Sequence, residues 1–198
     1  MKFIIAADEV GRGCLAGPLM VGGVLVPEDM QAPEGVTDSK KLTAAQREAA
    51  YLRLAGVEKA VARIPASDID RDGIGPSLER AFKHVVAELL AKDVPVSSVR
   101  IDGNPMPWVF PVTVEYIVQG DANDWRIGAA SIVAKVTRDR LMVEAAREHP
   151  GYGWAKNKGY GSTDHQEAIG RLGLTPLHRA TFCRRFVEDD DGGVFDIF

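Results

Sequence analysis

Apolar residues fall in five short runs, and the polar spacing between them separates strands from helices. Residues 3–7, Phe-Ile-Ile-Ala-Ala, are apolar without a break. A strand with one wet face would alternate, so this run reads as a strand buried on both faces. Residues 18–27, PLMVGGVLVP, predict a second apolar strand, with Gly22-Gly23 marking a bulge or close packing. Residues 57–64, 96–102 and 112–118 are the third, fourth and fifth strand candidates. Thr43 and Gln46 have capping-box spacing and open a helix over 44–54. Ser67 to Asp70 reads as a helix cap and first turn. Beyond it Ile74, Leu78, Phe82, Val85 and Leu89 recur at helical spacing, which predicts an amphipathic helix over 76–92. The longest helix spans 127–148 and starts Ala-rich. Residues 28–37 and 150–161 read as loops. Thr163 and Gln166 repeat the capping-box spacing before a short helix that stops at Gly173, with Pro176 beyond it. This order predicts an α/β domain whose mixed sheet is covered by helices. Strands after the first hairpin-like set are expected to run parallel to the first, which brings their C-terminal ends to one edge.

Composition adds bounds. The 198 residues suit one domain, taken as 1–186, followed by a short acidic and apolar tail over 187–198. The chain is 45% hydrophobic and 26% charged, as a soluble globular protein should be. No apolar run approaches the ~20 residues of a membrane helix, and the N-terminus lacks a small-residue cleavage pattern. A cytoplasmic protein with no membrane contact is therefore expected. Cys14 and Cys183 lie far apart, outside any metal-binding spacing, and read as two reduced thiols. The formal net charge of −4 argues against a polyanionic partner only until its distribution is considered. Five of the acids, Glu188, Asp189, Asp190, Asp191 and Asp196, sit in the tail. Without them the body is within one charge of neutral, so charge neither supports nor excludes nucleic acid.

The chemistry is carried by carboxylates. Asp8 and Glu9, Asp102, and Asp121 each follow a strand candidate. Singly, each is better read as a loop or cap residue. At three neighbouring parallel strand ends they would meet, repel one another, and need a cation between them. Oxygen ligands of this kind suit Mg2+ or Mn2+, and a pair of such ions about 4 Å apart clamps a phosphodiester and activates water. Gly11-Arg12-Gly13 follows the first acidic pair and suits close approach of backbone to a ligand.

Seven segments together resemble one family. They are DEVGRGCLAGP (8–18), DSKKLT (38–43), DG (102–103), GD (120–121), GAASIVAKVTRDR (128–140), KGYGSTDH (158–165) and PLHRATF (176–182). In order and in extent they are similar to ribonuclease HII, the type 2 ribonuclease H. The resemblance implies a ribonuclease H-like fold, with a mixed five-stranded sheet flanked by helices. It implies hydrolysis of the RNA strand of RNA–DNA hybrids, and incision 5′ to single ribonucleotides embedded in duplex DNA. Such incision leaves 3′-OH and 5′-phosphate ends and serves ribonucleotide excision repair. It places Mg2+ or Mn2+, two ions together, on Asp8, Glu9, Asp102 and Asp121. Asp139 joins the catalytic set in a supporting role; a helix-surface pair with a neighbouring Arg is the alternative. Discrimination of RNA from DNA falls on Gly11, Arg12, Gly13 and Tyr160, because only the 2′-OH separates the two sugars. Gly151-Tyr152-Gly153 is a decoy without the flanking Lys and Ser-Thr. Asn157 stands where some members carry His.

Ser39, Lys40, Lys41, Ser131 and Lys135 are candidate phosphate ligands; Arg179, with Arg184 and Arg185, is a candidate grip on the duplex backbone. His165 and His178 are read as orienting phosphate or a neighbouring loop. The closing residues 194–198 read either as a sliding-clamp docking peptide or as a segment folded back on the body, and a monomer is expected. Three rivals remain at this point. A junction resolvase of the same fold lacks the ribose-reading turn. Type 3 ribonuclease H carries an extra N-terminal domain, whereas this chain begins at its first core strand. A non-catalytic hybrid-binding module would not need four converging carboxylates.

Overall fold

The computed structural model describes residues 1–187. Five strands, β1 (Phe3–Val10), β2 (Leu19–Pro27), β3 (Glu58–Ile64), β4 (Val96–Asp102) and β5 (Val114–Ile117), form one sheet in the order β3-β2-β1-β4-β5. The β1–β2 and β2–β3 pairs are antiparallel, and β1–β4 and β4–β5 are parallel. The expected mixed sheet and the shared C-terminal edge of β1, β4 and β5 are therefore both present. β1 is central and buried on both faces, as its unbroken apolar run requires.

Eight helices flank the sheet among the described residues: α1 (Ala44–Arg53), α2 (Ala66–Asp72), α3 (Ile74–Leu90), α4 (Gly120–Asn123), α5 (Trp125–Glu148), α6 (Trp154–Asn157), α7 (Thr163–Leu172) and α8 (Ala180–Cys183). α3 buries Leu78, Phe82, Val85 and Leu89 against one face, together with Ile5, Ala7, Val99 and Ile101. α1 and α5 cover the other face, where Ala6 and Val24 meet Ile127, Ala130 and Val133. The two glycines of β2 belong to close packing on opposite faces, and the register with β1 and β3 runs through them without a bulge. A Cβ at Gly22 would lie 2.5 Å from the Ala130 carbonyl of α5, and one at Gly23 would lie 2.3 Å from Val85 Cγ1 of α3. A third cluster, built on Trp154, Ile169, Cys183 and Leu15, joins the segment after α5 to the turn after β1.

The helix signals hold with local shifts. Thr43 and Gln46 make both bonds of the capping box. The second expected box does not form. Ser162, one residue earlier than expected, caps α7 by accepting from the His165 N–H, while Gln166 reaches the Gly161 carbonyl. The 150–161 loop contains the short helix α6. β5 is shorter than the apolar run that announced it.

Candidate active site

Asp8 and Glu9 lie inside β1, which runs regularly to Val10, so they point to opposite faces. Asp8 pairs across the sheet with Gly22 and shares the α5 face with Ala6. The missing Cβ at Gly22 lets α5 approach, and Ser131 of that helix comes near enough to act on the Asp8 carboxyl. Ala7 pairs with Ile101, so Asp102, the last residue of β4, comes next to Asp8 at the following step. Asp121 is not at a strand end. After Ile117 the chain turns through Gln119 in a left-handed conformation, and Asp121 sits in the first turn of α4. The turn is anchored by the Gly120 N–H, which donates to Asp102 Oδ1 at 2.6 Å. Asp8 and Asp121 are buried, while Glu9 and Asp102 are partly exposed.

The four carboxyl groups feel one another. Burial, and then the adjoining Glu9, push the Asp8 carboxyl well above the usual carboxylate range; Asp102 and Asp121 push it further, and Ser131 opposes them. Burial and then Asp102 raise Glu9, against Arg12, whose guanidinium lies 3.9 Å away. Among the described residues these side chains do not form a ready ligand cluster, and three of the four accept from a local donor. Asp8 Oδ1 accepts from the Glu9 N–H, Asp102 from Gly120, and Asp121 Oδ2 from Lys40 Nζ at 2.7 Å. Negative charge crowded onto oxygen-only ligands is the donor chemistry of a hard divalent cation, and the Lys40 ammonium already stands in for one on Asp121. The residues present fit Mg2+ or Mn2+.

Around this cluster lie the other expected residues. Gly11 has φ +88°, and a Cβ there would lie 2.3 Å from Arg138 Nε; a Cβ at Gly13 would meet nothing within 4 Å. Arg12 and Gly13 are exposed. Tyr160 is 42% exposed. Its ring lies 5.4 Å from Lys135 Nζ and 5.7 Å from Arg138 Cζ. The decoy Tyr152 is buried and stacks on Trp154. Asp139 accepts from Lys135 at 2.7 Å and lies 3.6 Å from Arg47. It therefore pairs with two cationic side chains, one of them the neighbouring Arg of the alternative reading. Lys41 is exposed beside Asp38.

Three expected substrate contacts need correction. Arg179 is fully buried, and its guanidinium donates to the carbonyls of Gly11, Arg12 and Gly17, so it grips the turn after β1 in place of a duplex. Ser39 and Ser131 are buried and 2.8 Å apart. Neither is open to a phosphate. Asn157 accepts from the Gly159 N–H and donates to the Tyr152 carbonyl, which shapes the loop that carries Tyr160.

The two buried histidines orient that loop. Trp154 Nε1–H donates to His165 Nε2 at 2.9 Å, so the proton of neutral His165 is on Nδ1, where it donates to the Tyr160 carbonyl at 2.8 Å. His178 Nδ1 accepts from the Thr175 N–H, so His178 Nε2–H faces His165 Nε2 at 3.3 Å. Burial first, and then His165, bring His178 down to about 4. Burial lowers His165 as well.

Sequence reasoning missed Arg138, Arg47, Asp124 and Asp70. Arg138 is fully buried and donates to the carbonyls of Ala16, Pro18 and Lys158. Arg47 donates to the Ser39 and Leu42 carbonyls and so pins the segment that carries Lys40. Asp124 caps α5 and pairs with Arg100 at 2.6 Å. Asp70 accepts from the Ala180 and Thr181 N–H groups at the start of α8. Only the cap before the long helix carried a local signal. Residues 188–198, and with them the reading of the tail as a clamp-docking peptide, lie outside the described residues. Among the described residues no helix is long and apolar enough to cross a membrane.

Comparison with known proteins agrees with this geometry. The family model described as ribonuclease HII matches residues 5–185. A ribonuclease HII of Cereibacter sphaeroides is 46% identical over 181 residues, covering 90% of this chain and 83% of the relative. The crystal structure of ribonuclease H2 from Pyrococcus horikoshii superposes with a TM-score of 0.74 at 25% identity, covering 93% of this chain and 96% of that one. Bst ribonuclease HIII, solved in complex with Mn2+, gives a TM-score of 0.76 at 19% identity, covering 94% of this chain and 69% of that one, a likeness of fold.

Proposed function

The chain belongs to the ribonuclease HII family and is an endoribonuclease of the ribonuclease H type; on that premise we propose that it hydrolyses the RNA strand of RNA–DNA hybrids and incises duplex DNA 5′ to a single ribonucleotide, leaving 3′-OH and 5′-phosphate ends. The observation that carries the reading is the continuity of β1. One strand carries Asp8 and Glu9 close to Asp102 and Asp121, and its next three residues form a turn in which Arg12 and Gly13 are exposed.

Asp8, Glu9, Asp102 and Asp121 would hold Mg2+ or Mn2+. Two such ions supply an activated water and a stabilised leaving 3′-oxygen. The side chains do the rest. Lys40 reaches Asp121 and is 75% exposed at its side chain, so it is free to turn to a phosphate when Asp121 is otherwise engaged. Ser131, on the α5 side, favours the ionised form of the Asp8 carboxyl. Asp139 holds Lys135 beside the Tyr160 ring. Backbone N–H groups of the turn reach a 2′-OH without a side chain in the way, and Tyr160 packs against the neighbouring sugar. No covalent nucleophile is required.

The test is a cleavage assay on duplex DNA that contains one ribonucleotide, with Mg2+, with Mn2+, and with chelator. Metal-dependent incision on the 5′ side of the ribonucleotide is expected. Incision of the same duplex without its ribonucleotide, or unchanged incision in chelator, would refute the proposal.

A further inference from the structure

Two arginines on segments far apart in sequence are fully buried under the 11–18 segment. Arg179 donates Nη2 to the Gly11 carbonyl at 2.7 Å, Nη1 to Arg12 at 2.8 Å, and Nε and Nη2 to Gly17 at 3.2 and 3.0 Å. Arg138 donates Nε to Pro18 at 2.8 Å, Nη2 to Ala16 at 2.9 Å and Nη1 to Lys158 at 2.7 Å. Among the described residues neither forms a salt bridge; their hydrogen bonds all go to carbonyls, with the Tyr160 ring 5.7 Å from Arg138 Cζ and the Phe182 ring 5.3 Å from Arg179 Cζ. Burial brings Arg179 down to about 10. Apolar side chains of similar size would fill the same space at lower desolvation cost. A buried, carboxylate-free guanidinium therefore points to a requirement other than stability.

The peptide geometry supplies one. In a trans peptide the carbonyl and the following N–H point in opposite directions. Arg179 draws the Gly11 and Arg12 carbonyls inward, which turns the N–H groups of Arg12 and Gly13 outward. Among the described residues neither N–H has a protein acceptor, and both residues are exposed. Arg138 holds the Lys158 carbonyl and so ties the Tyr160 loop to the same segment.

We propose that Arg179 and Arg138 are positioning residues for sugar discrimination: Arg179 aims the Arg12 and Gly13 N–H donors at the 2′-oxygen, and Arg138 sets Tyr160 opposite them. This rests on the reading of 11–13 and Tyr160 as the ribose-contacting elements.

The experiment compares kcat/KM on duplexes with a ribonucleotide or a 2′-fluoro nucleotide at the incision site, for wild type, Arg179→Lys, Arg138→Lys and Asp70→Asn. Lysine keeps the charge and loses the planar fork. The ribo-to-fluoro ratio is expected to fall about 10–100-fold in both lysine variants, the scale of a misplacement near 1 Å. Asp70→Asn, which loosens the segment after Arg179 and leaves the four hydrogen bonds of its guanidinium in place, should lower the melting temperature and leave the ratio unchanged. A wild type with no preference for the ribonucleotide refutes the ribose-reading assignment itself. A discriminating wild type with folded lysine variants that keep its ratio overturns the positioning role alone. Failure of both lysine variants to fold assigns the guanidiniums to the core and also overturns it.

Discussion

The two glycines of the 11–13 turn have different reasons to be glycine, and a pair of alanine substitutions separates them. Gly11 has φ +88°, and its added Cβ would lie 2.3 Å from Arg138 Nε and 2.9 Å from Arg138 Cδ. The backbone conformation alone costs an alanine about 1–2 kcal/mol. Arg138 cannot move aside freely, because it is fully buried and bonded to Pro18, Ala16 and Lys158. Displacing it leaves at least one buried donor unpaired, about 1–3 kcal/mol more. Gly11→Ala should therefore destabilise by about 2–5 kcal/mol, a large part of the 5–15 kcal/mol typical of a domain. Gly13 lies outside the left-handed region, and its Cβ would meet nothing within 4 Å. Gly13→Ala should leave stability unchanged or raise it by about 0.4–1 kcal/mol through the unfolded chain. It should lower incision at a single ribonucleotide about 10–100-fold, because the methyl stands where the sugar must approach. Urea unfolding read by circular dichroism gives the two stabilities, and a gel assay on the one-ribonucleotide duplex gives the rates. The reasoning fails if Gly11→Ala unfolds within about 0.5 kcal/mol of wild type, or if Gly13→Ala incises at the wild-type rate.

Asp121→Asn should lower kcat by about 10²–10³ and leave substrate affinity within a few-fold, because the charge matters most in the transition state; wild-type turnover would remove Asp121 from the catalytic set. Tyr160→Ala should reduce incision at a lone ribonucleotide more than cleavage of a long hybrid, and equal losses on the two substrates would end its junction-reading role. His178 is buried neutral and held at about 4, below its unfolded 6.5, so the unfolded chain binds the extra proton between those values. Its contribution is complete above pH 6.5 and is lost as pH falls towards 4, about 1–2 kcal/mol after allowing for solvent near the ring. Unfolding free energies at pH 7 and pH 4.5 should show this loss in wild type and not in a folded His178→Gln variant.

The fold was legible because its signals are local and periodic. The unbroken run in β1, the capping box at Thr43 and the helical spacing of α3 each fix an element without reference to the rest of the chain. The carboxylates were legible because each stands at or near the end of an apolar run. Asp121 was expected at a strand end and lies in a four-residue helix, which after a left-handed Gln119 leaves no periodic trace. The buried polar layer was not legible. Arg138 and Arg179 are charged residues in polar surroundings, which in sequence look like solvated faces, and their partners are carbonyls up to 168 positions away. A backbone carbonyl has no sequence identity, so no motif can announce it. Ser39 and Ser131 misled for a related reason: their motifs lie near the site, and only packing puts their hydroxyls beneath Asp8 in place of the surface.

Charge of both signs is buried around one short stretch of chain, Asp8 within it and Arg179 beneath it, and the two signs do not cancel. Asp8 sits at the end of β1 with its acidity suppressed by burial and by its neighbours. Three residues on, the carbonyls of Gly11 and Arg12, with that of Gly17, converge on Arg179 and take its four hydrogen bonds. A direct ion pair between the two layers would be the cheapest arrangement for the unliganded protein, and it would also close the site. Keeping them apart leaves carboxylate oxygens open to a cation on one side and outward N–H donors open to a sugar on the other. The separation between Asp8 and the outward N–H groups is fixed by consecutive residues of a single strand and turn. If the proposed cation and ribose sites are right, covalent geometry sets the distance between them.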